Sequence, residues 1–210
     1  MKRIIAILLC LICVLAMAGC RNPVDDGMKA AKPVIYLYPE AETDVTVKLE
    51  YDGQLTSTYP HYTDGWRVTA APDGTLADEA GREYYCLFWE GVSDTEYDFS
   101  EGFVVPGGET AAFLEDALEK LGLTEKEANE FIIYWLPRME ENAYNLIAFQ
   151  TEAYTRSAAL EIEPAPDTVI RVFMAWQALE TPVEVEPQTL TAPERSGFAV
   201  VEWGGCEVVR

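Results

Sequence analysis

The sequence predicts an α+β domain, mainly antiparallel β in a sandwich- or barrel-like arrangement, with a helical hairpin inserted near residues 109–136. Three observations predict it. Short runs that are apolar at every second position, or apolar throughout, recur along most of the chain between breaks rich in proline and glycine. One interval alone, within residues 109–136, switches to the three-to-four spacing of helices. No repeat of fixed period is present, so strands and hairpin are read as one globular domain over residues 33–210.

The chain opens on an export pattern. Lys2 and Arg3 precede an unbroken apolar run from Ile4 to Ala16, too short to span a bilayer comfortably and the right size for a signal-peptide core. The run closes on Ala18-Gly19-Cys20, which resembles the lipobox of bacterial lipoproteins. The resemblance implies cleavage before Cys20 and a diacylglycerol on its thiol, so that residues 1–19 are the signal peptide. A secreted protein cut near Ala18, or an uncleaved anchor, is the competing reading. Residues 20–32 lack apolar periodicity and read as the lipidated cysteine and its tether.

Val34 to Tyr38, flanked by Pro33 and Pro39, reads as the first strand. Asp44 to Tyr51 alternates, with Val45, Val47 and Leu49 on one face and Thr46, Lys48 and Glu50 on the other. Trp66 to Ala70 is a third strand, followed by the turn Pro72-Asp73-Gly74. Glu83 to Trp89 is apolar on both faces, as a central strand would be. Phe103 to Val105 ends at Pro106-Gly107-Gly108. In the hairpin, Phe113, Leu114, Ala117, Leu118 and Leu121 fall at helical spacing, with Gly122 in the C-terminal capping position. Thr124 and Glu127 form a capping-box pattern, and Ala128, Phe131, Ile132 and Trp135 carry the second helix to a stop at Pro137. Strands return at Leu146–Phe149, Leu160–Glu163, Thr168–Trp176 and Phe198–Trp203, with an extended connection over 180–195.

Composition narrows the function. Thirty-six acidic against 15 basic residues give a net charge of −21 over 210 residues, which excludes a nucleic-acid surface and a basic patch for anionic lipid. His61 is the single histidine, and the folded part has no CxxC or Cys/His cluster, so neither a metal site nor a cofactor motif is expected. Cys86 and Cys206 remain in the folded part, and the sequence leaves open whether they pair.

Three segments, Lys32-Pro33-Val34-Ile35-Tyr36-Leu37-Tyr38-Pro39-Glu40, Leu87-Phe88-Trp89-Glu90-Gly91 and Gly197-Phe198-Ala199-Val200-Val201-Glu202-Trp203-Gly204-Gly205, together resemble an uncharacterised family of bacterial exported proteins and lipoproteins. The resemblance spans about residues 32–205 and implies one exported domain, without an activity.

Four features could carry chemistry. Glu90 and Glu202 each adjoin a tryptophan and are followed within two residues by glycine, and paired carboxylates beside aromatics can serve glycoside hydrolysis. Arg171 interrupts a strand that is apolar on both sides, so it requires a carboxylate, for which Glu90, Glu163 and Glu202 are candidates, or else it meets an anionic ligand. Asp94, Glu96, Asp98 and Ser100 alternate oxygens as calcium loops do, but Phe99 stands where the turn glycine belongs. Tyr59 to Trp66 gathers His61, Tyr62 and Trp66 in a turn-rich loop, which would either stack on a sugar or peptide or cover a small core. The expectation is a lipid-anchored binding or interaction domain on the extracytoplasmic face of a bacterial membrane. A glycan, peptide or protein would be its ligand. The alternative is a glycan hydrolase using Glu90 and Glu202.

Overall fold

Val45, Val47 and Leu49 are buried while their alternate neighbours are not, which makes Thr43–Tyr51 (β2) a strand with one dry face. The computed structural model describes residues 28–209, so the signal segment and Cys20 lie outside the described residues. The remaining strands are Met28–Tyr38 (β1), Gln54–Tyr59 (β3), Trp66–Ala70 (β4), Leu76–Ala77 (β5), Glu83–Tyr84 (β6), Leu87–Ser93 (β7), Phe103–Pro106 (β8), Tyr144–Phe149 (β9), Ala158–Glu163 (β10), Thr168–Leu179 (β11) and Ala199–Glu207 (β12). They form a seven-stranded sheet, β3-β7-β1-β12-β11-β9-β8, and a five-stranded sheet, β10-β2-β4-β5-β6. The pairs are antiparallel except β11 with β12, which is parallel. The α+β class stands, and the two open sheets make it a sandwich.

Two cores separate along the period of β1. Ile35 and Leu37 join Val45, Val47, Leu49, Leu87, Trp89 and Phe173 between the sheets. Val34 and Tyr36 turn the other way, to Val172, Met174, Val201 and Trp203 beneath the helices. The seven-stranded sheet is therefore buried on both faces, and this explains its nearly continuous apolar strands.

The hairpin consists of Thr110–Lys120 (α1) and Glu125–Met139 (α2). Leu114, Ala117 and Leu118 of α1 meet Phe131, Trp135 and Met139 of α2 over the sheet. Gly122, at φ 85°, ends α1: its N–H bonds Glu119 and that of Leu123 bonds Leu118, the paired contacts of a Schellman cap. Thr124 and Glu127 exchange both bonds of the capping box.

Several expectations are corrected. Pro137 does not stop α2, which runs on to Met139. The proline is exposed, and the acceptor it leaves unmatched is the carbonyl of Ile133, whose side chain is also exposed, so water can replace the lost bond. Glu83–Trp89 is not one strand: β6 lies in the smaller sheet and β7 in the larger, with the chain crossing between them at Tyr85-Cys86. β1 starts at Met28, ahead of the expected boundary near Lys32. Strand β3 and a short helix, Glu152–Ser157 (α3), gave no periodic signal in the sequence.

Candidate functional site

The three resemblance segments lie side by side, because β1 is paired with β7 on one edge and β12 on the other. Val34 faces both Phe88 and Trp203 across these ladders. Just before it, both registers slip, and Lys32 takes a left-handed φ of 53°. A side chain other than glycine in that region is held there by its surroundings. Two contacts do so: the Lys32 N–H donates to Glu90 Oε1 at 3.3 Å, and Lys32 Nζ lies 5.2 Å from the Tyr134 ring and 5.7 Å from that of Trp203. Pro33 rests against Gly204, where a Cβ would stand 3.0 Å from the proline Cα. A Cβ on Gly205 would stand 2.8 Å from the Trp135 indole. The glycine pair of the third segment is thus a requirement of close approach.

Over this bulge opens a cleft of about 350 Å³, lined by Lys32, Val34, Tyr59, Glu83, Tyr84, Tyr85, Cys86 and Phe88. The crossing at Tyr85-Cys86 shapes it. Tyr85 is 57% exposed and Tyr59 52%, and the Tyr59 and Tyr84 rings meet edge to face at 5.5 Å. Beneath, Tyr36 donates to Glu130 Oε2 at 2.5 Å. Burial pushes the Cys86 thiol up to about 12, and the adjacent Cys86 together with partial burial brings the Tyr85 phenol to about 12. Both groups are therefore protonated at neutral pH, so the cleft offers neutral aromatic faces and hydroxyl donors, not a nucleophile.

A protein described as "Uncharacterized protein in bglA 3'region", from Butyrivibrio fibrisolvens, is 40% identical to this chain over 79 residues, 36% of this chain and 81% of that protein. The chain belongs to the family of that Butyrivibrio protein. No family model matches it, and no solved structure does.

In this family member the other predicted residues separate. Arg171 Nε donates to Glu202 Oε2 at 2.6 Å and Arg171 Nη2 to the Ala158 carbonyl at 2.6 Å. Trp89 Nε1 donates to Glu202 Oε1 at 3.1 Å. Glu202 is fully buried and Arg171 nearly so, between the two sheets. Burial opposes the guanidinium charge, but Glu202 outweighs it and holds Arg171 above its usual pKa. Of the three candidate partners, the structure selects Glu202. Glu90 follows Trp89 in β7 and so points to the opposite face of the sheet, the side of Lys32. Glu90 and Glu202 do not share a cleft.

Tyr62 and Trp66 turn inward. The Tyr62 hydroxyl donates to the Leu49 carbonyl at 3.2 Å and accepts from its N–H at 3.1 Å, while Trp66 donates to the Pro60 carbonyl at 2.8 Å. Their rings pack at 4.6 Å, and Trp66 is buried; His61 is exposed. Tyr59 alone of that loop reaches the cleft. Cys86 and Cys206 are buried free thiols, one in each core. Asp98 turns its carboxylate onto Ser100, accepting from its N–H and hydroxyl at 2.8 Å each, which makes that segment a side-chain-closed turn. Tyr84, Tyr85, Glu83 and Lys32 were absent from the sequence-based site. Their signal was hidden because Tyr84-Tyr85 reads as the middle of a buried strand until the sheet crossing is known.

Proposed function

We propose that the chain is a lipid-anchored, extracytoplasmic binding domain whose ligand site is the tyrosine-lined cleft. The single observation that carries this reading is a pair of exposed tyrosines, Tyr59 and Tyr85, lining one cleft together with Glu83 and Lys32. Flat phenol faces beside a carboxylate and an ammonium suit a sugar ring, which offers C–H faces to the tyrosines and hydroxyls to the charges. The ligand class is therefore a glycan. The hydrolase alternative loses support, since Glu90 and Glu202 lie on opposite faces of one sheet and Glu202 is engaged by Arg171 and Trp89.

The anchor rests on Lys2-Arg3, the apolar run to Ala16 and Ala18-Gly19-Cys20. Among the described residues, no helix is long and apolar enough to cross a membrane. Two acyl chains on Cys20 would supply the double attachment that stable anchoring needs. Labelling with radioactive palmitate tests this directly: wild type incorporates label and Cys20→Ala does not, whereas equal incorporation removes the anchor. Binding is tested by titrating the full chain in detergent against a panel of soluble oligosaccharides. Tyr85→Ala is expected to weaken any binding about tenfold, a loss of roughly 1.4 kcal/mol. No binding across the panel, or binding indifferent to Tyr85→Ala, would set the glycan reading aside.

A further inference from the structure

β8 is the last strand of the seven-stranded sheet, and its outer edge faces a groove of about 950 Å³. One wall is α1, and the other is the connection after β11, where residues 183–187 run past the edge. Phe103, Phe113, Val183 and Val185 give the groove an apolar floor, and Val183 is 47% exposed. The rim is acidic, with Glu109, Asp116 and Glu184; Asp116 also accepts from Lys120 at 2.6 Å.

The backbone adds a second, independent observation. The N–H of Gly102 points away from β9 and donates to the Glu186 carbonyl at 2.8 Å, in an isolated parallel bridge of Glu101 with Glu186. Alternation then aims the N–H and carbonyl of Val104 the same way, out of the sheet. The connection does not follow: Gln188 instead turns its side chain to Phe149, donating to its carbonyl at 3.0 Å and accepting from its N–H at 2.8 Å. No main-chain bond from the connection reaches Phe103 to Val105 among the described residues. The chain begins to add a strand to its own sheet and leaves the rest of the edge open.

We infer that this groove receives an extended, basic peptide segment that adds to the edge of β8 as a further strand. Its main chain would pair with Val104 and its apolar side chains would lie on Phe103, Phe113 and Val185. Its Lys or Arg residues would meet Glu109, Asp116 and Glu184. A second copy of this chain is disfavoured as the occupant, since it would bring a net charge of −21 to an acidic rim. Pro106, which lacks an N–H, limits the pairing to a short segment.

A fluorescein-labelled Lys-Val-Lys-Val-Lys-Val-Lys peptide, titrated against the full chain in a neutral detergent and followed by anisotropy, tests this. Binding is expected, and alternate N-methylation of the peptide, which blocks strand pairing but leaves its charge, is expected to weaken it about tenfold or more. The combined Glu109→Gln, Asp116→Asn and Glu184→Gln variant should lose a similar factor. Neutralising three exposed carboxylates elsewhere, by Glu40→Gln, Glu42→Gln and Glu79→Gln, should not. Absence of binding overturns the inference, as does indifference to N-methylation or equal loss in the two charge variants. Tyr85→Ala should leave peptide binding unchanged, so this result and the glycan titration fail independently.

Discussion

Arg171 sits where a charge is tolerated because Nε and Nη2 both find acceptors and one of them is a carboxylate. Glu202 takes Nε, the Ala158 carbonyl takes Nη2, and the Tyr154 ring lies 4.8 Å below the guanidinium. Because Ala158 belongs to β10 and Glu202 to β12, one side chain links the two sheets. Replacing Arg171 by Met leaves the Glu202 carboxylate buried without its cation, at a cost of about 3–5 kcal/mol. That is a large share of the roughly 5–15 kcal/mol by which such a domain is stable. Urea denaturation should show a markedly lower midpoint for Arg171→Met, and a midpoint within error of wild type would mean the pair carries no stability. An arginine inside an apolar strand announces in the sequence that a carboxylate must face it. Which carboxylate is not announced, because the choice is made by the parallel register that sets Arg171 opposite Glu202. The cleft tyrosines were hidden for the same kind of reason: their exposure depends on a change of sheet, not on their neighbours.

Among the elements, the hairpin was the most legible, since capping box, glycine cap and apolar spacing are all local signals. The second role of Glu127 was not local. Its buried carboxylate caps Thr124 and also receives Arg195, which bonds the Gly122 carbonyl through Nη2 at 2.9 Å and lies 5.8 Å from the Tyr38 ring. Arg195 comes from the far end of the long connection between β11 and β12, so one ion pair fastens that connection to the turn of the hairpin. Arg195→Ala should release it without unfolding the sheets. Limited Glu-specific proteolysis is expected to cut within residues 180–195, at Glu180, Glu184 or Glu194, several-fold faster in the variant, with the far-ultraviolet spectrum unchanged. Equal cleavage rates would show that Gln188 and the Glu186 bridge hold the connection by themselves.

For the whole molecule, two cores with a buried thiol in each predict how stability responds to alkali. Burial holds both Cys86 and Cys206 at about 12, while each ionises near 9 when unfolded. The folded values are raised, so stability is fully present below pH about 9. It declines as pH rises toward 12, because the unfolded chain sheds these protons first. Tyr36, Tyr38 and Tyr97 are also shifted upward, chiefly by burial, and act in the same direction. Urea midpoints should be level from pH 7 to 8 and fall between pH 9 and 11. The double variant Cys86→Ala, Cys206→Ala should show a shallower fall, and parallel slopes would remove the thiols as a cause. Both thiols should also resist alkylation in the native state at pH 8.

β1, at the start of the described residues, is seated between β7 and β12, and β12 is the last strand of the fold. A chain made from its N-terminus therefore carries two incomplete half-sheets until residues 199–207 have been synthesised. Until then the partner edges of β1 and β11 are open, both lined with apolar residues, and contacts of the longest sequence separation close the sheet last. The larger sheet exists as two separate halves until then, and β12 is the piece that joins them.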